Sequence, residues 1–356
     1  MPACQVRGAA ASDLMRVTLD RSVDWTSLAA DWRALEQRAP ASFFQSWSWL
    51  GPLAAERFDR PLLLRVEVDG RTTGLALCNR HRGRLLLSES GRAEPDNLFI
   101  EHNAPLLEAG NHAVAARVLD TLAGARLGPL RLSGIDAATL AALAPTRHRL
   151  RAVRPAPWID LASLAGPEAW LAELSANSRA QLRRSDRAFA AAGPIVATPA
   201  PDLPTARDWF SSLVALHQRS RGARGQPGAF ASQFVRRFHQ CLIETAFPRG
   251  EIDLLRIAAG PRELGFLYNF HHRGRVLCYQ SGFDYAAARG AEKPGLSSHH
   301  AAIRLAFARG DGAYDFLAGH ERYKLSLATR STELFWVEAG SLLARAAGRV
   351  IERLDR

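Results

Sequence analysis

The chain has 356 residues, enough for two domains, and its 47% hydrophobic and 23% charged residues are typical of a globular protein. The formal net charge is +11, but only two of the 46 basic residues are lysine, so the charge reflects arginine usage along the whole chain and by itself indicates no polyanionic partner. No run of 18 apolar residues is present, and the four cysteines show neither a CxxC nor a zinc-binding spacing. We therefore expect a cytoplasmic protein with reduced thiols, no membrane span and no metal.

The first half is predicted to place helices around a three-stranded meander. After a leader over residues 1–15, the spacing of Leu28, Trp32 and Leu35 predicts a helix. An Asp-Gly turn and an Arg-Gly turn separate the three strands of the meander. The other expected elements are a helix at 47–58, strand segments at 62–70, 72–83 and 84–90, a helix at 111–124, a strand near 130–132, a helix at 136–143 and an extended stretch at 147–161.

The second half is predicted to repeat this plan. Sliding the sequence by 191 residues places 63–91 over 254–282 without a gap, and 12 of the 29 positions are identical, including Gly74 with Gly265. We interpret this match as an internal duplication. The expected elements are helices at 168–191, 203–220 and 229–246 and strands at 252–259, 264–272 and 275–283.

A further stretch, residues 293–324, reads KPGLSSHHAAIRLAFARGDGAYDFLAGHERYK. Its Pro-Gly pair precedes apolar residues at helical spacing, which predicts a helix that ends at Gly310. Residues 313–317 are typical of a buried strand, and a polar turn with a tyrosine follows them. Because the first turn of a helix has free backbone N–H groups, the start of this helix is a candidate site for an anion such as the pyrophosphate of CoA.

This stretch resembles the C-terminal signature of the FemAB-like, CelD-type branch of the GNAT acyltransferase superfamily. The resemblance extends to FFQSWSWL near residue 45 and to the basic helix NSRAQLRRSDRAFAAAG, so it covers most of the chain. The positions that match the signature are Pro294, Gly295, Gly310, Asp315, Phe316, Leu317, Gly319, Tyr323 and Lys324.

The resemblance implies an α+β fold of three layers with tandem GNAT-like domains, each a mixed, mainly antiparallel twisted sheet flanked by helices. We place the domains at residues 1–157 and 158–356. In such a fold, two adjacent strands splay apart and hold the pantetheine arm of CoA. The first half has no Pro-Gly helix entry after its third strand, so we expect the second half to be catalytic and its site to face the cleft between the halves.

Four residues of the second half are candidates for the proton transfers of acyl transfer to an amine. Tyr323 is the first choice for the general acid, because the resembled enzymes place there the tyrosine that protonates the CoA sulfur. Asp315 lies in an apolar strand, so it is either a structural link or a functional carboxylate. His271 falls opposite Arg80 of the first half, which makes it a candidate base or a half-buried strand histidine. Glu321 lies on the following turn.

Ligand-binding candidates are expected near the start of the predicted helix and along the strands before it. For the cofactor they are Gln280, Lys293, Gly295, Leu296, Ser297 and Lys324. A salt bridge to Asp315 or a phosphate contact would explain Lys324 in a chain so poor in lysine. For the substrate they are Tyr268, Asn269, Tyr279, Asp284 and Arg183. Core packing is the alternative for the two tyrosines, and a solvated helix face is the alternative for the arginine.

The predicted function is N-acyl transfer from acyl-CoA to an amino group of a small molecule, sugar or polysaccharide precursor, by direct attack. RGAEKPG at 289–295 has the glycine and the positive charge of the GNAT acyl-CoA signature at a different spacing, and FemAB relatives use aminoacyl-tRNA. The alternatives are therefore an aminoacyl-tRNA-dependent transferase and a catalytically inactive binding or scaffold protein of polysaccharide synthesis. Nucleic acid is an expected partner only of the tRNA-dependent alternative, and peripheral membrane association is a further expectation.

Overall fold

The structure is a computed structural model that describes residues 15–109, 112–124, 128–143 and 147–340. The leader expected over residues 1–15 lies outside the described residues except for Met15, which begins a strand. Residues 341–356 of the expected second domain also lie outside them.

The described residues form strands and helices in alternating groups. The strands are β1 (Met15–Asp20), β2 (Pro61–Val68), β3 (Arg71–His81), β4 (Arg84–Leu87), β5 (Leu106–Leu107), β6 (Leu130–Ile135), β7 (His148–Asp160), β8 (Ile195–Pro199), β9 (Ile252–Ala259), β10 (Arg262–His272), β11 (Arg275–Phe283), β12 (Ala313–Asp315) and β13 (Arg330–Ala339).

The α-helices are α1 (Trp25–Glu36), α2 (Trp47–Leu50), α3 (Ala54–Arg57), α4 (Ala93–Asp96), α5 (His112–Gly124), α6 (Ala137–Ala142), α7 (Pro167–Glu173), α8 (Ala176–Ala190), α9 (Leu203–Gly222), α10 (Gln233–Ala246), α11 (Pro294–Arg309) and α12 (Arg322–Leu327).

The predicted helix boundaries differ from the structure where single residues interrupt a helix. The helix expected at 47–58 is divided into α2 and α3, and Leu53 before α3 has a left-handed backbone with φ 52°. The helix expected at 168–191 is divided into α7 and α8, because the Ser175 side chain caps α8 by accepting the Ser178 N–H. The strands β1, β5, β8 and β13 and the helices α4 and α12 were not predicted.

All of the strands form one sheet with the order β1-β2-β3-β4-β6-β13-β7-β12-β11-β10-β9-β8, and β5 pairs beside this path with β3. Counted inward from its two ends, this order places equivalent strands of the two halves at equivalent positions. β1 corresponds to β8, β2–β4 correspond to β9–β11, and β6 corresponds to β12. The β4–β6 and β11–β12 pairs are parallel in a sheet that is otherwise antiparallel. The predicted α+β fold with tandem halves and a mainly antiparallel sheet is confirmed.

The two meanders agree in detail at the predicted offset of 191 residues. β9 and β10 each begin and end 191 residues after β2 and β3. Both strand pairs shift register at the same place, next to Gly74 in one half and Gly265 in the other. The turns at Arg82 and Arg273 both have left-handed backbone conformations. These shared irregularities support the predicted duplication, because they recur at the same offset as the sequence match.

The last strand of each half pairs with the other half. β7, which ends the first half, pairs with β12, and β13 pairs with β6. β7 and β13 also pair with each other along the middle of the sheet. The domain boundary expected at 157/158 lies within β7, so the two halves are joined by exchanged strands.

Helices cover both faces of the sheet, which gives the three predicted layers. On one face, α1, α2, α9 and α10 enclose a core shared by both halves. Trp49 of the FFQSWSWL segment lies in this core, with its ring centroid 5.1 Å from that of Phe238 and 5.7 Å from that of Phe270. On the other face, α5 and α6 cover the first half, and α7, α8, α11 and α12 cover the second. The shared core fixes one half against the other.

The third strand of the meander differs between the halves. β4 ends at Leu87, and Ser88 turns the chain away with φ 58°. β11 passes a bulge at Tyr279 and continues to Phe283. In the first half, β5 pairs with β3 at the place where the extension of β11 pairs with β10. The second half therefore has the longer third strand.

Candidate active site

Strands β11 and β12 lie side by side at one end and separate toward the other. They pair in parallel over Arg275–Leu277 and Ala313–Asp315. Beyond this pairing, the chain after β12 turns toward β7, to which the N–H groups of Phe316 and Gly319 donate. β11 instead continues along β10. The backbone of β11 from residue 278 onward therefore borders a gap between the two strands.

A cavity of about 870 Å³ occupies this gap. Its walls come from β11, from the start of α11, from α8 and α9, and from the turn between β12 and α12. Phe99 and Glu101 complete the wall from a loop of the first half, between α4 and β5. The cavity therefore lies where residues of the two halves meet.

The start of α11 forms one side of the cavity, where Lys293, Gly295 and Leu296 line it. The hydroxyl of Ser185 on α8 holds this turn by accepting the Lys293 N–H at 2.9 Å. The same hydroxyl oxygen lies 2.8 Å from Ser297 Oγ. Because a helix N-terminus carries partial positive charge, this side of the cavity is suited to an anion.

Tyr323 lies half-buried on α12 and lines the cavity. Its ring stacks on that of His299, with 5.0 Å between the centroids and 14° between the planes. Burial lowers the pKa of His299 to about 3, and burial raises the pKa of the Tyr323 phenol well above its usual range. At neutral pH the histidine is therefore neutral and the phenol carries its proton.

Lys324 is buried, and its ammonium group joins parts of the turn after β12. Its Nζ donates to the carbonyl oxygens of Ala318 at 2.8 Å and Leu317 at 3.4 Å. It also lies 3.4 Å from Glu321 Oε2. Lys324 and Glu321 both line the cavity. The salt bridge suggested between Lys324 and Asp315 is not formed.

Asp315 and His271 were predicted to be catalytic, but neither is among the residues that line the cavity. Asp315 Oδ2 lies 3.2 Å from both His102 Nε2 and Arg275 Nε. Burial would raise the pKa of Asp315, but these two basic groups hold it below its usual range. His271 Nε2 lies 2.6 Å from Asp311 Oδ1, and this hydrogen bond raises the pKa of the histidine. Both residues thus belong to ion pairs outside the cavity.

Tyr279 and Gln280, two of the predicted ligand-binding residues, line the cavity on β11. The Tyr279 hydroxyl donates to the Leu98 carbonyl oxygen of the first half at 2.8 Å. It also lies 3.2 Å from His239 Nε2. Tyr279 thus joins the wall of the cavity to the loop of the first half that carries Glu101.

The other predicted ligand-binding residues lie outside the residues that line the cavity. Tyr268 and Asn269 are fully buried, Tyr268 in the core that both halves share. Ser297 is buried against α8. Asp284 Oδ1 accepts a backbone N–H three residues on at 3.2 Å, and Arg183 is exposed on α8.

Several residues of the cavity were not predicted from the sequence. The basic ones are Arg154, Arg221, Arg224 and Arg322. His217 of α9 also lines the cavity, and its Nε2 accepts the Ala229 N–H at 3.1 Å, so its Nδ1 donates to the Ser281 carbonyl at 2.9 Å. The sequence signal for the basic residues of the cavity wall was the arginine-rich run at residues 219–224, at the end of the helix predicted at 203–220.

Glu101 is a buried carboxylate in the cavity that no sequence motif marks. Its Oε2 accepts the Ala318 N–H at 2.5 Å, a contact between residues 217 positions apart in the chain. Burial raises the pKa of Glu101 to about 7. The carboxyl group can therefore take up and release a proton near neutral pH.

Among the described residues, no group of three or more histidine, cysteine or acidic side chains is arranged to hold a metal ion. Within the same part of the chain, no helix combines the length and apolar character needed to span a bilayer.

Residues 176–325 match the family model described as Acetyltransferase (GNAT) domain. This segment contains α8 to α11 and β8 to β12, and therefore most of the cavity wall. The match supports a transferase domain in the second half. No curated protein sequence matches the chain.

Solved structures resemble the whole chain at low sequence identity. The crystal structure of FemX has 9% identity and a TM-score of 0.61, and the alignment covers 95% of this chain and 100% of FemX. L-PGS from Bacillus licheniformis has 12% identity and a TM-score of 0.57, with 91% and 96% covered. A C-terminal domain assigned to a lysylphosphatidylglycerol synthetase from Agrobacterium fabrum has 10% identity and a TM-score of 0.58, with 93% and 96% covered. At these identities the likeness shows a shared GNAT-like fold.

Proposed function

We propose that this protein is an N-acyltransferase that moves an acyl group from acyl-CoA to a primary amine of a small molecule, sugar or polysaccharide precursor. The divergence of β11 from β12 around a cavity carries this proposal. A strand edge that borders a cavity leaves N–H and C=O groups free to pair with an extended ligand. The pantetheine arm of CoA contains two amides in an extended chain and is suited to such an edge.

The charges around the cavity support a phosphate-rich donor. The N-terminus of α11 lies at one side, next to Lys293. Arg221 and Arg224 extend the basic surface from α9. The Lys293 ammonium donates to Gln181 Oε1 at 2.9 Å, which fixes it beside the start of α11. We assign the pyrophosphate and the adenosine phosphate of CoA to these groups.

Tyr323 is the proposed general acid of the reaction. Its protonated phenol lines the cavity on the side of the turn after β12, where β11 and β12 have just separated. Attack of the acceptor nitrogen on the thioester breaks the C–S bond, and the sulfur then takes the phenol proton. No covalent enzyme intermediate is needed. We assign Asp315 and His271 a structural role, because each of them is engaged in an ion pair outside the cavity.

Aminoacyl-tRNA is the alternative donor. The basic side of the cavity suits either polyanion, and Arg183 belongs to an exposed basic run on α8 that could follow a phosphate backbone. We favour acyl-CoA, because the segment that matches an acetyltransferase domain contains the strand edge and the helix start.

The proposal is tested by titration calorimetry with acetyl-CoA, a long-chain acyl-CoA and free CoA. We expect saturable binding that Arg221→Ala weakens about tenfold through loss of a phosphate contact. Arg219→Ala is the matched control, because Arg219 lies on the same helix and is exposed outside the cavity. Wild-type protein that binds none of the three compounds would exclude acyl-CoA and move the tRNA-dependent alternative ahead.

A further inference from the structure

We infer that Glu101 of the first half is the general base that deprotonates the acceptor amine. This inference rests on the proposed acyl transfer and names the group that the sequence left unassigned. It also gives the first half a catalytic residue, although that half has no acyl-donor gap like the one beside β11.

The position of Glu101 favours this role. It lines the cavity from a loop of the first half, and its Oε2 is held by the Ala318 N–H at 2.5 Å. Ala318 lies in the turn that Lys324 closes and that leads directly into Tyr323. Tyr279 lies on β11, the strand at the other side of the gap. Burial is the main cause that raises the pKa of its phenol, and the nearby Glu101 carboxylate raises it further. Glu101 is therefore placed where β11 and β12 separate.

The loop that presents Glu101 is held in an unfavourable backbone conformation. Phe99 and His102, on either side of it, have φ of 53° and 46°, and Leu317, next to its partner Ala318, has φ 61°. Such left-handed conformations are uncommon for side chains other than glycine, and they concentrate at functional sites. Gly134 of β6 makes room for this loop, because a Cβ there would lie 2.9 Å from the Glu101 Cα.

Several hydrogen bonds hold this strained loop. Ser42 Oγ donates to the His102 carbonyl at 2.7 Å. The Asn103 N–H donates to the Gly134 carbonyl at 3.1 Å, and Asn103 Nδ2 donates to the Leu87 carbonyl at 3.1 Å. A loop held at this many points positions its carboxylate firmly, as a general base requires.

The charged groups around Glu101 come from three elements. Burial raises its pKa, the Ala318 N–H and Lys324 lower it, His102 of the same loop lowers it, and Asp315 of β12 raises it. The outcome is a pKa of about 7, which suits a group that must accept a proton at neutral pH and then release it.

The other carboxylates that line the cavity within the described residues are less suited to this task. Glu292 is engaged by Arg262 through both oxygens, at 2.6 and 2.8 Å, and this pairing lowers its pKa. The side chain of Glu321 is 54% exposed to solvent and lies against Lys324. Of these carboxylates, Glu101 is the one that is buried and has a pKa near 7.

The proton transfers balance as follows. The acceptor arrives as an ammonium ion, and Glu101 takes one proton from it. The amine nitrogen forms a bond to the thioester carbon, the C–S bond breaks, and the sulfur takes the proton of Tyr323. The nitrogen releases a second proton, which restores the phenol, and Glu101 returns its own proton to solvent. The products are an amide, free CoA and one proton.

The test compares wild-type protein with Glu101→Gln, whose amide oxygen can still accept the Ala318 N–H. The donor is acetyl-CoA, and the acceptor is the amine of highest turnover in a screen of glucosamine and other primary amines. We expect kcat/KM to fall roughly 100-fold or more, with loss of the limb of the pH profile near pH 7 and unchanged acetyl-CoA affinity. Glu94→Gln is the control, because Glu94 lies exposed in α4 of the same half and outside the cavity, and this variant should keep that limb.

Carbon NMR of protein labelled at the glutamate carboxyl groups supplies a readout that needs no turnover. Three glutamate carboxyl groups, those of Glu36, Glu89 and Glu101, should titrate near pH 7 in the wild type and in Glu94→Gln, and one of these three signals should be missing in Glu101→Gln. An unchanged pH profile in Glu101→Gln, or a Glu101 carboxyl group that titrates in the ordinary acidic range, overturns the inference while acetyl-CoA binding still supports the proposed function. Wild-type protein that binds no acetyl-CoA overturns the proposed function first, and the base assignment falls with it.

Discussion

Tyr323 and Lys324 are neighbours in α12, yet the fold uses them differently. Tyr323 presents its ring to the cavity and stacks on His299. Lys324 directs its ammonium group into the turn before α12, where it holds the Ala318 carbonyl. The Ala318 N–H in turn donates to Glu101. Lys324 therefore supports the turn that connects the proposed base, Glu101, with the proposed acid, Tyr323. A lysine suits this position, since one compact charge satisfies closely spaced carbonyl oxygens.

Replacing Tyr323 by Phe should remove the proposed acid and keep the shape of the cavity. We expect turnover of acetyl-CoA to fall roughly 100-fold while the affinity for acetyl-CoA is retained, because the phenol acts when the C–S bond breaks. Steady-state kinetics together with calorimetry separates the two quantities. Tyr285→Phe is the control, since it removes a second phenol of the cavity wall, which lies against Gly295 at the start of α11. Equal turnover in wild type and Tyr323→Phe would contradict the assignment.

The buried carboxyl group of Glu101 should make the folded state less stable as the pH rises. Its pKa is about 7 in the folded protein against an ordinary value of 4.5, so its stabilising effect is fully present below pH 4.5 and is lost as the pH rises through 7. Glu101→Gln avoids this loss. We therefore expect the variant to exceed the wild type in unfolding free energy by about 3 kcal/mol at pH 8, and by little at pH 4.

Urea unfolding at both pH values measures this difference, with Glu94→Gln as an exposed control. A difference between Glu101→Gln and wild type that is the same at pH 4 and pH 8 would show that the carboxyl group is not buried in its charged form. A stabilised but slow variant would be an instance of function maintained at a cost in stability.

At the scale of elements, the extension of β11 forms one wall of the cavity, and α9 packs against this extension. His217 of α9 donates to the Ser281 carbonyl, and Gly282 lies against the backbone of Leu213. A Cβ at Gly282 would lie 2.3 Å from the Leu213 carbonyl oxygen. This close approach needs glycine, and the same offset places Gly91 of the first half here, where the chain has already left the sheet.

Gly282→Ala should push α9 away from β11. Because the clash is with backbone, we expect a loss of roughly 1–3 kcal/mol in unfolding free energy and weaker acetyl-CoA binding. Thermal unfolding and calorimetry measure the two effects. Gly222→Ala is the control, since Gly222 ends the same helix with open space around it and should be neutral or slightly stabilised. Equal stability of the two variants would refute the close packing of α9 on β11.

The elements that the sequence predicted best are those with local signals. The meander strands and their Arg-Gly turns follow from alternation and glycine, and the helix after Lys293 follows from its Pro-Gly start. β5 has two residues and β8 is partly exposed, so neither has a pattern to detect. The position of Glu101 depends on a contact across 217 residues, for which the sequence carries no local signal.

Two polar residues that the sequence singled out as catalytic candidates have partners that lie far away in the sequence. Asp315 attracted attention as a carboxylate in an apolar strand, but its partner His102 comes from the loop of the first half. His271 is engaged by Asp311 across 40 residues. A residue that stands out in a sequence is thus either functional or paired, and spacing alone does not separate the two.

At the scale of the whole molecule, the exchanged strands β7 and β13 make the two halves interdependent. β12 of the second half pairs on one side with β7 of the first half, and β6 of the first half pairs with β13 of the second. Without the other half, each would expose an unpaired edge in the middle of a sheet. The core shared by α1, α2, α9 and α10 adds apolar surface that neither half can bury alone.

The halves should therefore fold together and not separately. Fragments 1–165 and 166–356 divide the chain after β7, and we expect each to aggregate when expressed alone and to co-purify when both are expressed in one cell. Size-exclusion chromatography and circular dichroism measure the outcome. A soluble 166–356 fragment with a cooperative thermal transition would contradict this expectation.

The palindromic order of the strands has a consequence for the origin of the chain. Two identical copies of a single half, related by a twofold axis and trading their last strands, would form a sheet of the same order. Fusing two such genes end to end joins the last strand of one copy to the first strand of the next without moving any pairing. The present chain has the strand order expected of a single-gene form of such a swapped homodimer, in which the second copy keeps the longer third strand and the first contributes a loop to the cavity.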